Sequence, residues 1–182
     1  MSEGGKGIYP VILLTVVVAV SMVLLTMTDG VTKEEIDKRK DDEIKEMLGV
    51  QFEDMDDFEY YEDIELYIIK DEGGNTIGYA FKAVGQGYGG DIEMLVGLID
   101  ESTIKDVSVI SHGETPGLGA KITESWFTDQ FQGATVDDLA LSKDGGDIDA
   151  ISGATISSKA VVDSIKQTAL EKIRLLKEME EE

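Results

Sequence analysis

The chain has 182 residues with 16 basic side chains, 38 acidic side chains and one histidine, for a formal charge of −22. That length suits one domain beside a membrane segment, and the charge argues against nucleic acid as a partner, because phosphate binding needs Lys and Arg to displace counterions. Cysteine is absent, which excludes disulfides, thiolate catalysis and cysteine-ligated iron–sulfur clusters, and the single His112 excludes His-rich zinc sites.

After a tail over residues 1–7, no residue from Ile8 to Met27 is charged. Twenty residues at about 1.5 Å each span about 30 Å, the thickness of a bilayer's hydrocarbon core. A helix satisfies its own backbone in lipid, and Pro10 falls in the first turn, where its missing N–H costs little. Residues 8–28 therefore read as a single transmembrane anchor. A cleaved signal peptide would have a shorter apolar stretch and a small-x-small cleavage site, which Thr26-Met27-Thr28-Asp29 does not supply. Lys6 precedes the segment, while Lys33, Lys38, Arg39 and Lys40 follow it. That count favours a cytoplasmic domain, but the rule is weak for long domains.

Residues 29–63 read as a stalk helix and an acidic linker. Thr32-Lys33-Glu34-Glu35 is a capping-box pattern. It predicts a helix to about Leu48, with Ile36, Ile44, Met47 and Leu48 on one side and Gly49 as its stop. Glu53–Glu65 then carries eight carboxylates and no cation, interleaved with Phe58, Tyr60 and Tyr61. It lacks the spacing of a calcium loop and reads as a solvated, mobile segment.

A domain is expected over residues 64–178, with an acidic tail at 179–182. Ile64–Lys70 and Thr76–Val84 predict a hairpin around the turn Asp71–Asn75. Ile92–Ile99 and Ile104–Ile110 predict two more strands joined at Asp100–Thr103. Thr123–Phe131 predicts a short helix. Ser157–Glu178 predicts a long one, with Val161, Val162, Ile165, Ala169, Ile173 and Leu176 at helical spacing. The expected class is α+β, an antiparallel sheet with helices packed on one face.

Gly85-Gln86-Gly87-Tyr88-Gly89-Gly90 matches a dinucleotide-binding glycine pattern. That pattern works only between a strand and a helix, and Asp91–Val96 reads as a strand, so the dinucleotide reading is rejected. Two further loops stand out. Ser111–Ala120 contains the turn pair Pro116-Gly117. Asp149–Ser158 runs into the long helix, whose N-terminus favours an anion beside Thr155; Ser157 or Ser158 could equally cap that helix.

Four segments in this order carry a resemblance. They are Gly87-Tyr88-Gly89-Gly90-Asp91-Ile92, Glu114-Thr115-Pro116-Gly117-Leu118-Gly119, Trp126 with Gln130-Phe131 and Gly133, and Asp149-x-x-Ser152-Gly153-Ala154-Thr155. Over roughly residues 8–178 the chain resembles the FMN-binding domain family. Within it, the chain is similar to the G subunits of Rnf-type complexes, relatives of the C subunits of sodium-translocating NADH:quinone reductases. The resemblance implies covalent FMN, joined through its phosphate to the hydroxyl of Thr155 by a separate flavin transferase with FAD as donor. Ser152, Gly153 and Ala154 would flank the attachment, and Asp149 would belong to the stretch that the transferase reads. Ser152, Ser157 and Ser158 are rival acceptors outside the motif position.

Glu114, Thr115, Gly117 and Leu118 would line the flavin, with Tyr88 beside them; tight turns and a core aromatic are the plainer readings of these residues. Trp126 is expected in the core and His112 in an exposed loop. No catalytic or metal-ligating side chain is implied, since the cofactor performs the chemistry. The implied role is electron transfer between ferredoxin-linked and NAD-linked or other carriers, coupled to Na⁺ or H⁺ transport by other subunits. By resemblance the large domain lies outside the cytoplasm, where its acidic surface could guide a basic redox protein such as a cytochrome. Two alternatives remain. One is an anchored flavin-binding sensory or assembly module without a relay role. The other is a stand-alone flavin reductase, for which no nicotinamide site is recognisable.

Overall fold

The structure, a computed structural model, describes the backbone of residues 8–180 and the side chains of residues 9–22 and 44–179. The chain divides into two units, residues 1–44 and 45–182. Helix α1 runs from Ile8 to Gln51 without interruption. The backbone is therefore already helical at the capping box, and Gly49 lies inside the helix rather than ending it. The side chains of Thr32–Glu35 and Ile36 lie outside the described residues, as do the tail 1–7 and residues 181–182. Among the described residues no helix is long and apolar enough to cross a membrane. The side chains described in the apolar stretch are those of residues 9–22, about 21 Å of helix, so the expected anchor at 8–28 lies partly outside them.

In the second unit five strands follow: β1 Asp57–Tyr61, β2 Leu66–Lys70, β3 Thr76–Gln86, β4 Asp91–Leu98 and β5 Ile104–His112. They form one sheet in the order β1-β2-β3-β4-β5, every pair antiparallel. The turns Asp71–Asn75 and Asp100–Thr103 fall where expected. A short helix α2, Ser125–Thr128, lies between 3-10 turns at Gly119–Thr123 and Asp129–Phe131. Helix α3 spans Thr155–Glu180, beginning two residues earlier and ending two residues later than the periodicity predicts.

The acidic segment is the clearest correction in the fold. It is not a mobile linker: Asp57–Tyr61 is the edge strand of the sheet, in register with β2 as Phe58↔Ile69 and Tyr60↔Tyr67. Phe58 and Tyr60 sit on one face with Tyr67, at ring-centroid distances of 5.7 and 4.6 Å. Lys70 forms an ion pair with Glu59 across the two strands. The period-2 aromatics specify a strand, and at a sheet edge the intervening carboxylates can remain in water. The domain thus begins before residue 64.

A second correction concerns the layers. One face of the sheet buries Phe81, Ala83, Met94 and Val96 against Val161, Val162 and Ile165 of α3, with Phe127 and Phe131 completing the core. Gly85 lets β3 approach α3 closely, since a Cβ there would lie 2.5 Å from the carbonyl oxygen of Ala160. The other face is covered as well. Leu48 and Phe52 are fully buried, and Gln51 Nε2 donates to the Leu95 carbonyl and to Ser108 Oγ, at 3.2 and 3.0 Å. Gly78 and Gly97 provide the room, because a Cβ at either would meet the Phe52 ring. Helical packing is therefore on both faces, not one.

Candidate functional site

The site lies at the sheet end where β3 turns into β4 and β5 leaves the sheet. The glycine segment is the β3–β4 hairpin turn, closed by Gly87 N–H donating to the Gly90 carbonyl at 2.9 Å. A loop between two strands is the setting that excludes a dinucleotide fingerprint. Gly89 faces Gly113 backbone to backbone, and a side chain on Gly89 would run into the Gly113 carbonyl oxygen.

Two turns of one kind complete the site. Thr115-Pro116-Gly117-Leu118 closes with Leu118 N–H donating to the Thr115 carbonyl at 3.2 Å, and Gly117 has φ +77°. Ile151-Ser152-Gly153-Ala154 closes with Ala154 N–H donating to the Ile151 carbonyl at 2.9 Å, and Gly153 has φ +80°. Positive φ at the third position is the requirement of a type II turn, and glycine meets it without strain. The second turn delivers the chain directly into α3, whose first residue is Thr155.

Ser157 and Ser158 do not cap α3 as expected; they lie inside its first turn, because the helix starts at Thr155. Ser158 Oγ accepts from Ile151 N–H at 2.9 Å and donates to the Ala154 carbonyl at 3.0 Å, locking the turn to the helix. The first backbone bond of the helix is Ser158 N–H to the Ala154 carbonyl, at 3.0 Å. The N–H groups of Thr155, Ile156 and Ser157 precede it, so helix geometry gives them no intrahelical acceptor.

Farther back, Gln130 holds the loop at Asp149. Its Oε1 accepts from Asp149 N–H at 2.7 Å, and its Nε2 lies 3.5 Å from the Asp149 carbonyl. Asp149 Oδ1 in turn accepts from Ser142 Oγ at 2.8 Å.

These segments enclose a pocket of about 440 Å³, lined by Tyr88, Glu114, Thr115, Leu118, Gly119 and residues 153–157. Of the residues singled out in the sequence, Tyr88, Glu114, Thr115, Leu118, Gly153, Ala154 and Thr155 meet there. Ser152 and Gly117 do not line it; each is an exposed turn residue. Gly119, Ile156 and Ser157 line it without having been singled out as pocket residues. An apolar residue beside the Ser-Gly-Ala-Thr motif was the available signal for Ile156. Trp126 is not core: it is 48% exposed while Phe127 is buried, and its indole N–H donates to Glu124. His112 is not in a loop but ends β5, half-buried, and its Nδ1 accepts from Glu114 N–H at 3.2 Å.

The pocket pairs an apolar rim with a polar wall. Tyr88, Leu118 and Ile156 stay 74%, 47% and 57% exposed, an apolar cluster that suits a ligand with a flat face. In the wall, Glu114 is buried and accepts at both oxygens. Oε1 takes Gly89 N–H at 3.1 Å, and Oε2 takes Ser157 Oγ–H at 2.7 Å. One carboxylate thus ties the glycine turn to the first turn of α3.

The FMN-binding domain family matches residues 87–170, from the glycine turn to the middle of α3. The G subunit of the ion-translocating oxidoreductase complex of Methanosarcina acetivorans is 37% identical over 176 residues, covering 91% of this chain and 94% of that protein. The G subunit of the proton-translocating ferredoxin:NAD(+) oxidoreductase complex of Clostridium ljungdahlii is 42% identical over 99 residues, covering 53% of this chain and 54% of that protein. The crystal structure of Shewanella oneidensis NqrC aligns with a TM-score of 0.49 at 20% identity, over 69% of this chain and 74% of that one. With a relative of that identity matched over nearly the whole of both chains, this chain belongs to the family of G subunits of ion-translocating oxidoreductase complexes.

Proposed function

We propose that this chain is the FMN-carrying electron-transfer subunit of an ion-translocating oxidoreductase complex, with the flavin joined through its phosphate to Thr155 Oγ1. The observation that carries the reading is the position of Thr155, both the first residue of α3 and part of the pocket lining. The residues fit the group. A phosphate esterified at Thr155 would meet the free N–H groups and positive dipole end of the helix. About 440 Å³ is within the size range of cofactor sites. Tyr88, Leu118 and Ile156 would bear on the isoalloxazine ring, and Gly153 leaves the backbone open where the tether runs. When bound, the flavin supplies one- and two-electron redox chemistry. The chain supplies attachment, orientation and the local field.

Residues 8–28 anchor the chain in the membrane on this reading. The support is a stretch without charge, with apolar side chains from Tyr9 to Met22 exposed by 46–71%, as befits a helix surrounded by lipid. The domain faces away from the cytoplasm, where its negative surface steers a basic redox protein, and a flavin transferase loads it there. Electrons pass between ferredoxin-linked and NAD-linked or other carriers, in keeping with the name of the Clostridium relative.

The experiment places Thr155→Ala in the chain within its complex. The expected result is a complex that assembles in the membrane but no longer transfers electrons. Intact electron transfer without Thr155 would overturn the carrier role and leave an assembly module. Topology has its own test: single cysteines at residues 140–145 should react with an impermeant maleimide in intact cells. Labelling only after permeabilisation would reverse the orientation.

A further inference from the structure

Resting on the flavin reading above, we infer that Glu114 is a potential-setting residue: a fixed negative charge in the pocket wall that holds the bound FMN at a low reduction potential. Glu114 is 5% exposed, and each of its oxygens receives a hydrogen, one from Gly89 N–H and one from Ser157 Oγ. Acceptance at both oxygens is the pattern of a carboxylate. The surroundings are shaped to that group. A Cβ on Gly87 would collide with Oε1 and one on Gly119 with Oε2, so two glycines from different loops leave the space that the carboxylate fills. Among the described residues no Lys, Arg or His forms an ion pair with it. Its stabilisation comes from the two donors and from the N-terminal end of α3.

A clasp alone does not need a charge. The amide of a glutamine could join the same two segments, without the cost of burying an ion that has no counter-ion. What the carboxylate adds is a fixed charge at a buried position in the pocket wall, where charges act more strongly than in solvent. A flavin gains negative charge on reduction. A carboxylate in its pocket wall therefore disfavours the reduced form by like-charge repulsion, as one acid raises the pKa of its neighbour.

The test is a potentiometric titration of the full-length chain in detergent, loaded with FMN by a flavin transferase and followed by flavin absorbance. Wild type is compared with Glu114→Gln and Glu114→Asp. In Glu114→Gln, the ratio of reduced to oxidised flavin at the wild-type midpoint should rise at least tenfold, which is about 30 mV upward for a two-electron couple. Glu114→Asp keeps the charge and should stay within threefold. A Glu114→Gln protein that carries covalent flavin and titrates within twofold of wild type would overturn the inference while leaving the FMN reading intact. If Glu114→Gln does not load, Ser157→Ala decides. It removes a donor but keeps the charge, so its potential should lie at or below wild type, and a rise would overturn the inference. A wild-type chain that takes up no flavin overturns both readings before any titration.

Discussion

The two ends of the sheet use carboxylates in opposite ways. At the end holding the β2–β3 and β4–β5 turns, Asp71 and Asp100 serve their own loops. Asp71 Oδ1 accepts from the N–H groups of Gly73 and Asn75, and Asp100 Oδ1 from those of Ser102 and Thr103. Asp100 is solvent-exposed and Asp71 half-buried, and their hydrogen-bond donors lower both pKa values, led by the Asn75 side chain for Asp71 and by the Ser102 backbone N–H for Asp100. At the opposite end Glu114 is buried and serves segments 25 and 43 residues away in sequence. Local carboxylates shape turns one at a time. The distant one joins two loops and the first turn of α3 into a single wall, and the candidate pocket lies at that end.

Breaking the long-range clasp should cost most. In Gly119→Ala the new Cβ lies against Glu114 Oε2 and 2.8 Å from Ser157 Oγ. The clash is with a side chain held at both oxygens, so an overpacking cost of about 3 kcal/mol is expected, read as a lowered Tm of the full chain in detergent. A wild-type Tm would show that the carboxylate is free to move. Ser157→Ala removes one donor to the buried carboxylate and should cost about 2 kcal/mol in the same measurement.

The two type II turns give a smaller and more selective contrast. Alanine at Gly153 or Gly117 must adopt positive φ, at about 1–2 kcal/mol each. Gly153→Ala should be the worse of the pair. Its Cβ would sit 3.3 Å from Leu118 Cδ2, whereas nothing lies within 4 Å of a Cβ at Gly117. Equal losses would show that only the backbone matters.

The smallest effect belongs to the other end. Asp100→Ala should destabilise the fold by less than ~1 kcal/mol at neutral pH, because the group is exposed. Because the folded-state pKa of Asp100 is lowered, its contribution is present above the ordinary aspartate value of about 4 and is lost as pH falls through the lowered one. Stability curves of wild type and variant should therefore converge in acid. A gap that persists there would assign the effect to packing.

The same contrast explains what was legible in the sequence. Strands β2 to β5 follow from short apolar segments bounded by turn residues, and their turns from Asp, Gly and Asn chemistry that acts within five residues. Strand β1 was obscured because the carboxylates of Asp57 and Glu59 outweighed the alternation of Phe58 and Tyr60. The seat of Phe52 on the outer face had no local signal, since the glycines that admit it, Gly78 and Gly97, lie on β3 and β4. At the candidate site, the motif residues around Gly153 and Thr155 stood out as loop chemistry. The link from Ser157 to Glu114 spans 43 residues and joins a helix residue to a loop residue, so no local pattern could pair them.

The most direct test of the central claim is denaturing gel electrophoresis of the full-length chain co-expressed with a flavin transferase, viewed under ultraviolet light beside Thr155→Ala. The account predicts a fluorescent wild-type band and a dark variant. Two bright bands would move the attachment to a neighbouring serine. Two dark bands, with the transferase active on a control substrate, would contradict covalent flavin in this chain.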